Sequence, residues 1–324
     1  MSLAIQMQAT GSPEVLAIVD LDVASPGPRE VQVRQTVIGV NFIDIYHRLG
    51  LYPLPQLPAV IGVEGAGVVG AVGPDVSGIE AGDRVAYAGL PPGGYAERRN
   101  LPAARVVKIP EGVSDKVAGS AMLRGLTAHM VLHKACAVQP GDFVLVHAAA
   151  GGLGQFLTRW AKRLGATVVA TVGSEAKIGL AEAAGADLVL LHTASDWPDT
   201  VKRVSGGLGV HLACDGIGGD MLARTFASVR PFGVVASLGQ AAGPIPPIDV
   251  SQLGPVRCIS LSRPSVIAYT NDATLYKPAA ADLFAVLSDG LASVIGAEYS
   301  LREAARAHSD LETGRTTGSV ILLP

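Results

Sequence analysis

The sequence predicts an α/β protein in which a doubly wound parallel sheet accompanies a separate β-rich domain. Three observations carry this expectation. From residue 142 to about 262, short apolar β-branched runs alternate with helical patterns, the order of a parallel sheet covered on both faces. The N-terminal stretch reads instead as β runs broken by Pro-Gly turns such as Ser25-Pro26-Gly27-Pro28. After residue 264 the β pattern returns. We therefore expect a discontinuous architecture: 1–124 and 264–324 form the β-rich domain, 125–263 the inserted sheet domain, with a cleft between them. The 324 residues exceed one ordinary core, and 49% apolar residues, 16% charged residues and 39 glycines suit a well-buried α/β chain with many tight turns.

The elements follow in order. Strands are predicted over 15–23, 30–40 and 62–72, with a short helix over 41–49 whose apolar side carries Phe42, Ile45 and Leu49. Gly82-Asp83-Arg84 turns into a further strand, and another begins near Tyr95. From Asp115 the period becomes helical, with Val117, Met122, Leu126 and Val131 on one long helix broken near Gly125. The alternating region supplies strands at 143–146, 168–171, 188–191, 210–215, 233–237 and 258–261, with helices between the first five. Helices at 279–289 and 301–312 and strands near 297–299 and 319–322 complete the chain.

Residues 142–177 are the most informative. The apolar run Phe143–Val146 meets small residues, a helical pattern and a second apolar run, with Ala149-x-Gly151-x-x-Gly154 at the turn. Small residues here permit a tight turn, close approach of a pyrophosphate and close helix–strand packing. The helix beginning near Gly152 offers unpaired N–H groups and the positive end of its dipole. Strand, turn, helix and strand in this order make a dinucleotide site. An NAD site places Asp or Glu about 20 residues on, at the ribose 2′-hydroxyl. The second strand here ends Thr171-Val172-Gly173-Ser174, and Lys177 follows one turn later. A hydroxyl and an ammonium suit a 2′-phosphate, so the expected cofactor is NADPH. Glu175 complicates this, since it could swing toward the ribose, and Ser174 could equally be a helix N-cap.

Composition excludes other classes. A net charge of −3 and no basic, aromatic-interleaved patch give no nucleic-acid footprint. No apolar stretch reaches about 18 residues, so no membrane span is expected. MSLAIQMQATG lacks a charged start and a long apolar run, so the expected location is the cytoplasm. Cys136, Cys214 and Cys258 have no metal or redox spacing. His129 and His133 lie one turn apart, but Cys136 falls about 10 Å along the helix from His129. No metal site is expected.

Several segments together resemble one family: Gly39-Val40-Asn41-Phe42-Ile43-Asp44 with Tyr46, Gly50-Leu51-Tyr52-Pro53, Gly62-Val63-Glu64-Gly65-Ala66-Gly67, Gly82-Asp83-Arg84-Val85, His147–Gly154 and Ser262-Arg263-Pro264-Ser265. End to end, the chain resembles the medium-chain dehydrogenase/reductase superfamily, and within it the NADPH-dependent quinone oxidoreductases related to zeta-crystallin. The resemblance implies a GroES-like catalytic domain plus a Rossmann domain. The superfamily's zinc alcohol dehydrogenases carry Cys where this chain has Asn41 and His where it has Val63. Their four-cysteine loop is replaced by Ala88–Tyr95, which has no cysteine. The resemblance is therefore to the zinc-free branch.

Without a Lewis acid an easily reduced acceptor is expected, because a quinone spreads the incoming charge over its ring and needs mainly orientation. The resemblance places Asn41, Tyr46, Tyr52 and Arg263 around nicotinamide and acceptor, with Asp44 ordering the first loop. Asn41 could instead be only a helix N-cap, and the tyrosines only packing. The resemblance further places Thr127 near the nicotinamide and Ala150, Gly151, Gly152 and Leu153 over the pyrophosphate. Gly173, Ser174, Lys177 and His192 fall at the adenosine phosphate, and Leu238, Gly239 and Ala241 at the nicotinamide ribose. Arg315 would reach the phosphates, or be an exposed loop arginine. Relatives carry tyrosine at the position of His192; a cationic histidine there would strengthen NADPH binding at lower pH. An activated C=C bond in an alkenal, enone or enoyl thioester is the alternative acceptor. RNA binding or a structural role is a reading of another class, without a basic patch to support it. The strand at 258–261 resembles a sheet edge, which with the family points to a homodimer.

Overall fold

A computed structural model describes residues 1–324. The chain forms two compact units, one of Met1–Leu126 with Val266–Pro324 and one of Thr127–Ser265.

In the first unit, the strand Glu30–Val40 organises a seven-stranded sheet. Val31, Val33 and Val37 alternate inward, as a pleated strand requires, and from Val37 to Val40 both faces are buried. It pairs antiparallel with Glu64–Val72, with Arg98–Pro102 and with the returning strand Ser319–Leu323. A three-stranded sheet of Leu16–Leu21, Ser2–Met7 and Ala59–Val60 completes the β framework. One core gathers Ile5, Ile38, Val40, Ile61, Tyr95, Leu301, Val320 and Leu322; another gathers Val31, Val33, Val69, Val85 and Leu101. The short helix Phe42–Arg48 follows directly on Val40, so Asn41 stands where strand becomes helix.

The second unit is a six-stranded parallel sheet. Its order is Leu188–Leu191, Thr167–Val172, Phe143–Val146, Val210–Asp215, Val229–Ser237, Ser260–Ser262, which is the 3-2-1-4-5-6 order of a dinucleotide-binding fold. Leu145, Val169, Val210, Ala213 and Val235 fill one face against Trp197, Val201, Leu222 and Phe226. The strand order reverses between Phe143–Val146 and Val210–Asp215, where such folds bind ligands at the carboxyl ends of the strands.

Several predicted elements differ from those observed. Helix Asp115–Met130 is unbroken and runs into a single π turn, Val131–Ala135. Gly125 serves packing: a Cβ there would lie 2.3 Å from Leu283 Cδ1. The helix predicted from 279 begins at Ala273, with the Asp272 carboxylate capping Thr274 N, and contains Pro278. Pro278 forfeits one internal hydrogen bond and is carried by the buried Tyr276, Ala280 and Leu283 around it. The strand predicted over 258–261 is only Ser260–Ser262, because Cys258 has φ 50° and leaves the extended region.

Candidate functional site

The dinucleotide turn is built by close approach. Gly151 is the N-cap of helix Gly152–Arg163 and has no side chain to cap it. A Cβ on Gly154 would sit 2.4 Å from the Ala148 carbonyl oxygen and 2.6 Å from Ala149 Cα, so any larger residue would push the helix off the strand. The turn's left-handed residue is Ala148, φ 50°, rather than a glycine. Of the residues expected at a pyrophosphate, Gly151 donates its own N–H to the Ala148 carbonyl at 2.9 Å. The amides available for an anion are therefore those of the first helical turn, Gly152 onward.

At the ends of the second and third strands, Gly173, Ser174, Lys177 and His192 come together. Ser174 occupies the N-cap position of the turn Glu175–Lys177, but its hydroxyl makes no capping bond. A Cβ on Gly173 would meet the His192 ring at 3.3 Å, so glycine lets the imidazole close over the strand tip. His192 Nδ1 is buried without a hydrogen-bond partner. Burial, then Arg224 and Lys177, holds the His192 pKa below its ordinary value, so this imidazole is neutral at pH 7 in the free protein. Arg224, which sequence reasoning missed, donates to the carbonyls of His192 at 3.2 Å and Ala194 at 2.7 Å. It sits in the short helix Met221–Phe226, between two strands, and only the fold carries it beside His192. This set fits an NADPH 2′-phosphate: two cations, a hydroxyl and an unpartnered ring nitrogen.

Elsewhere in this unit, Arg263 donates to Ser237 Oγ at 3.0 Å, immediately before Leu238 and Gly239. Leu238 N–H bonds the Asp215 carbonyl and Ala241 N–H the Gly216 carbonyl. Asp215 is the other missed residue: its Oδ1 accepts from Ile217 and Gly218 N–H and shapes the turn on which this segment rests. Thr127 lies buried on helix Asp115–Met130.

In the first unit, Asn41 caps helix Phe42–Arg48, and its main-chain N–H donates to Asp44 Oδ2 at 2.8 Å. Its side-chain amide donates to Glu64 Oε2 at 2.7 Å. Glu64 is fully buried; it also accepts from Leu123 N–H at 2.7 Å and pairs with Arg124 Nη1 at 3.3 Å. Burial raises the Glu64 pKa, opposed by Arg124, then by Asn41 and Leu123. A Cβ on Gly39 would fall 2.0 Å from Glu64 Oε2, which explains the glycine preceding Val40. Tyr46 and Tyr52 stack edge to face with centroids 5.3 Å apart; Tyr46 is buried while Tyr52 is 38% exposed. Arg315 is 72% exposed and pairs with Asp310 at 3.2 Å, the geometry of a loop arginine.

Two family models match: residues 27–111 match the alcohol dehydrogenase GroES-like domain, and residues 152–277 a domain described as zinc-binding dehydrogenase. The chain is 39% identical to the quinone oxidoreductase of Pseudomonas aeruginosa over the full length of both. The chain belongs to the quinone oxidoreductase family. It is also 38% identical to the 2-haloacrylate reductase of a Burkholderia species, over 100% of this chain and 99% of that one. The crystal structure of Escherichia coli quinone oxidoreductase complexed with NADPH superposes with a TM-score of 0.95 at 36% identity, covering 99% of this chain and 100% of that one. The zinc in the second domain's description does not fit the donors at Val63-Glu64, which lie in the first domain. Val63 has no donor atom, and the Glu64 carboxylate is engaged by Asn41, Leu123 and Arg124.

Proposed function

We propose that this protein reduces quinones with NADPH, without a metal. The carrying observation is the tip of the second strand, where His192 closes on Gly173 and Ser174 and Lys177 follow in the next turn, in a chain alike, end to end, to quinone oxidoreductases. When bound, the nicotinamide supplies a hydride. The residues around it hold, orient and exclude water. Gly152 and Leu153 present N–H groups to the pyrophosphate, and Lys177, Ser174 and His192 read the 2′-phosphate. Leu238, Gly239 and Ala241 line the nicotinamide ribose with Thr127, and Arg263, held by Ser237, lies beside them. Asn41, Tyr46 and Tyr52 face the acceptor, a phenol donating to the oxygen on which charge develops. Arg315 reaches the cofactor phosphates only by leaving Asp310.

The 2-haloacrylate reductase relative favours a second reading, hydride addition to an activated C=C bond. Initial rates with NADPH or NADH against 1,4-benzoquinone, 9,10-phenanthrenequinone, an enone and 2-chloroacrylate separate the two. The expected result is NADPH-dependent turnover of both quinones; turnover confined to the enone and haloacrylate moves the assignment to the second reading, and none with any acceptor removes both.

The same reading includes a homodimer in the cytoplasm. Ser260–Ser262 is the sheet's terminal strand; Phe232 on the adjoining strand, and Val250 and Val256 on the approach to the edge, are 83%, 75% and 90% exposed. Large apolar side chains at an open edge suit a second copy of the chain. Sedimentation equilibrium at micromolar concentration is expected to give twice the 33.1 kDa chain mass; a monomer there overturns this part. No helix is long and apolar enough to cross a membrane.

A further inference from the structure

A buried string of side chains runs behind Asn41 in the first unit. Arg48, 1% exposed at the end of helix Phe42–Arg48, places Nη1 3.4 Å from His308 Nδ1. His308 Nε2 lies 2.8 Å from Tyr95 Oη, and Tyr95 Oη lies 3.2 Å from Asp44 Oδ2. All four residues are buried; Asp44, Tyr95 and His308 are fully so. Arg48 is held in turn by the Gly11 carbonyl at 3.0 Å and Glu312 Oε2 at 2.8 Å.

The string has one direction. A guanidinium only donates, so His308 Nδ1 must accept and the neutral ring carries its proton on Nε2. Burial, then Arg48, lowers the His308 pKa to about 3, so the ring is neutral at working pH. Nε2–H then donates to Tyr95 Oη, which leaves the phenol proton for Asp44. Asp44 Oδ2 thus receives both Tyr95 O–H and Asn41 N–H, while its Oδ1 is buried without a partner. We propose that Tyr95 and His308 are positioning residues for the reducing site, transmitting the charge of Arg48 to Asp44 so that its carboxylate clamps the main chain of Asn41. This rests on the reading that Asn41 faces the acceptor.

The clamp needs an ionised Asp44. Burial raises its pKa to about 7, against the hydrogen bonds from Asn41 and Tyr95. Of the other charges facing it, Glu64 raises the pKa and Arg124 lowers it; His47, on the same helix, has its pKa lowered to about 4 by burial and is neutral there. A protonated Asp44 offers a weaker acceptor, so kcat/KM falls as pH drops through this pKa. Loss of the Tyr95 hydroxyl removes one hydrogen bond to the charged form and raises the pKa further.

The test is the pH profile of kcat/KM for 1,4-benzoquinone with NADPH, for the full-length wild type, Tyr95→Phe, His308→Leu, His308→Gln and Asn41→Ala. Tyr95→Phe and His308→Leu are expected to move the acid limb upward by about one pH unit, the worth of one charge-assisted hydrogen bond. His308→Gln, whose amide can accept from Arg48 and donate to Tyr95, is expected to return the limb to the wild-type position. A limb unmoved in Tyr95→Phe, with Asn41→Ala slowed at least tenfold, overturns the inference alone. A wild-type rate in Asn41→Ala overturns the reading of Asn41, and the inference falls with it. If His308→Leu does not fold, the isosteric Tyr95→Phe decides.

Discussion

Replacing Arg124 by methionine is expected to destabilise the first unit by about 3–5 kcal/mol, the cost of stranding one member of a buried ion pair. Arg124 holds three things at once: Glu64 Oε2, the Ser120 carbonyl, and the Val40 carbonyl at 2.6 Å. Methionine keeps the aliphatic volume and removes all three bonds. Glu64, already raised by burial, then loses the charge that opposes that rise. A carboxyl whose folded pKa lies above its unfolded value binds more protons when folded, so stability falls as pH rises between the two. The deficit of Arg124→Met should therefore be largest at neutral and alkaline pH and shrink toward about pH 4.5, near the ordinary glutamate value. Urea denaturation midpoints at pH 5 and 7.5 check this. Adding Glu64→Gln should recover part of the loss at pH 7.5, because it removes the stranded charge. An equal deficit at both pH values would show that Arg124 contributes packing, not charge compensation.

Lys177→Ala is expected to weaken NADPH binding about 10- to 100-fold while changing NADH binding little, since a charge-assisted bond to phosphate is worth about 1.5–3 kcal/mol. Titration calorimetry with both cofactors gives the comparison, and equal losses would show that Lys177 does not read the 2′-phosphate. His192 adds a pH dependence. It is neutral in the free protein, with its pKa lowered by burial, Arg224 and Lys177. A bound phosphate favours its protonated form, so its pKa is higher in the complex, and the NADPH:NADH affinity ratio should rise as pH falls from 8 to 6. A flat ratio would show that His192 binds the phosphate as a neutral donor.

The two sites were legible to different degrees. Around the dinucleotide, local sequence does most of the work. Gly151, Gly154, Gly173 and Ser174 lie within one strand–helix–strand unit, so their contacts follow from spacing and handedness. Arg224 and Asp215 belong to the same region but arrive from a later helix and a later strand, and nothing within a few residues of either marks them. Around Asn41 the cap position was readable, because a polar residue between a β run and a helical pattern has few other roles. Its partners were not. Glu64 and Arg124 are separated from it by 23 and 83 positions, by residue number, and a lone arginine in a small-residue helix gives no hint of which carboxylate it will meet. Tyr95 and His308 are farther apart still and are joined only because Ser319–Leu323 returns beside Glu30–Val40.

By itself the sequence determined the α/β class, the dinucleotide turn, and the absence of a carboxylate at the tip of Thr167–Val172. Each of these is written in residues close together along the chain, where the geometry of strands, helices and glycines leaves little choice. Only the tertiary structure decided that Gly125 packs against Leu283 instead of breaking a helix, that Glu64 is neutralised by Arg124, and that Asp44 ends a string beginning at Arg48. The reason is burial. A charged or polar side chain excluded from water must find a partner, and which partner is in reach depends on how distant segments pack.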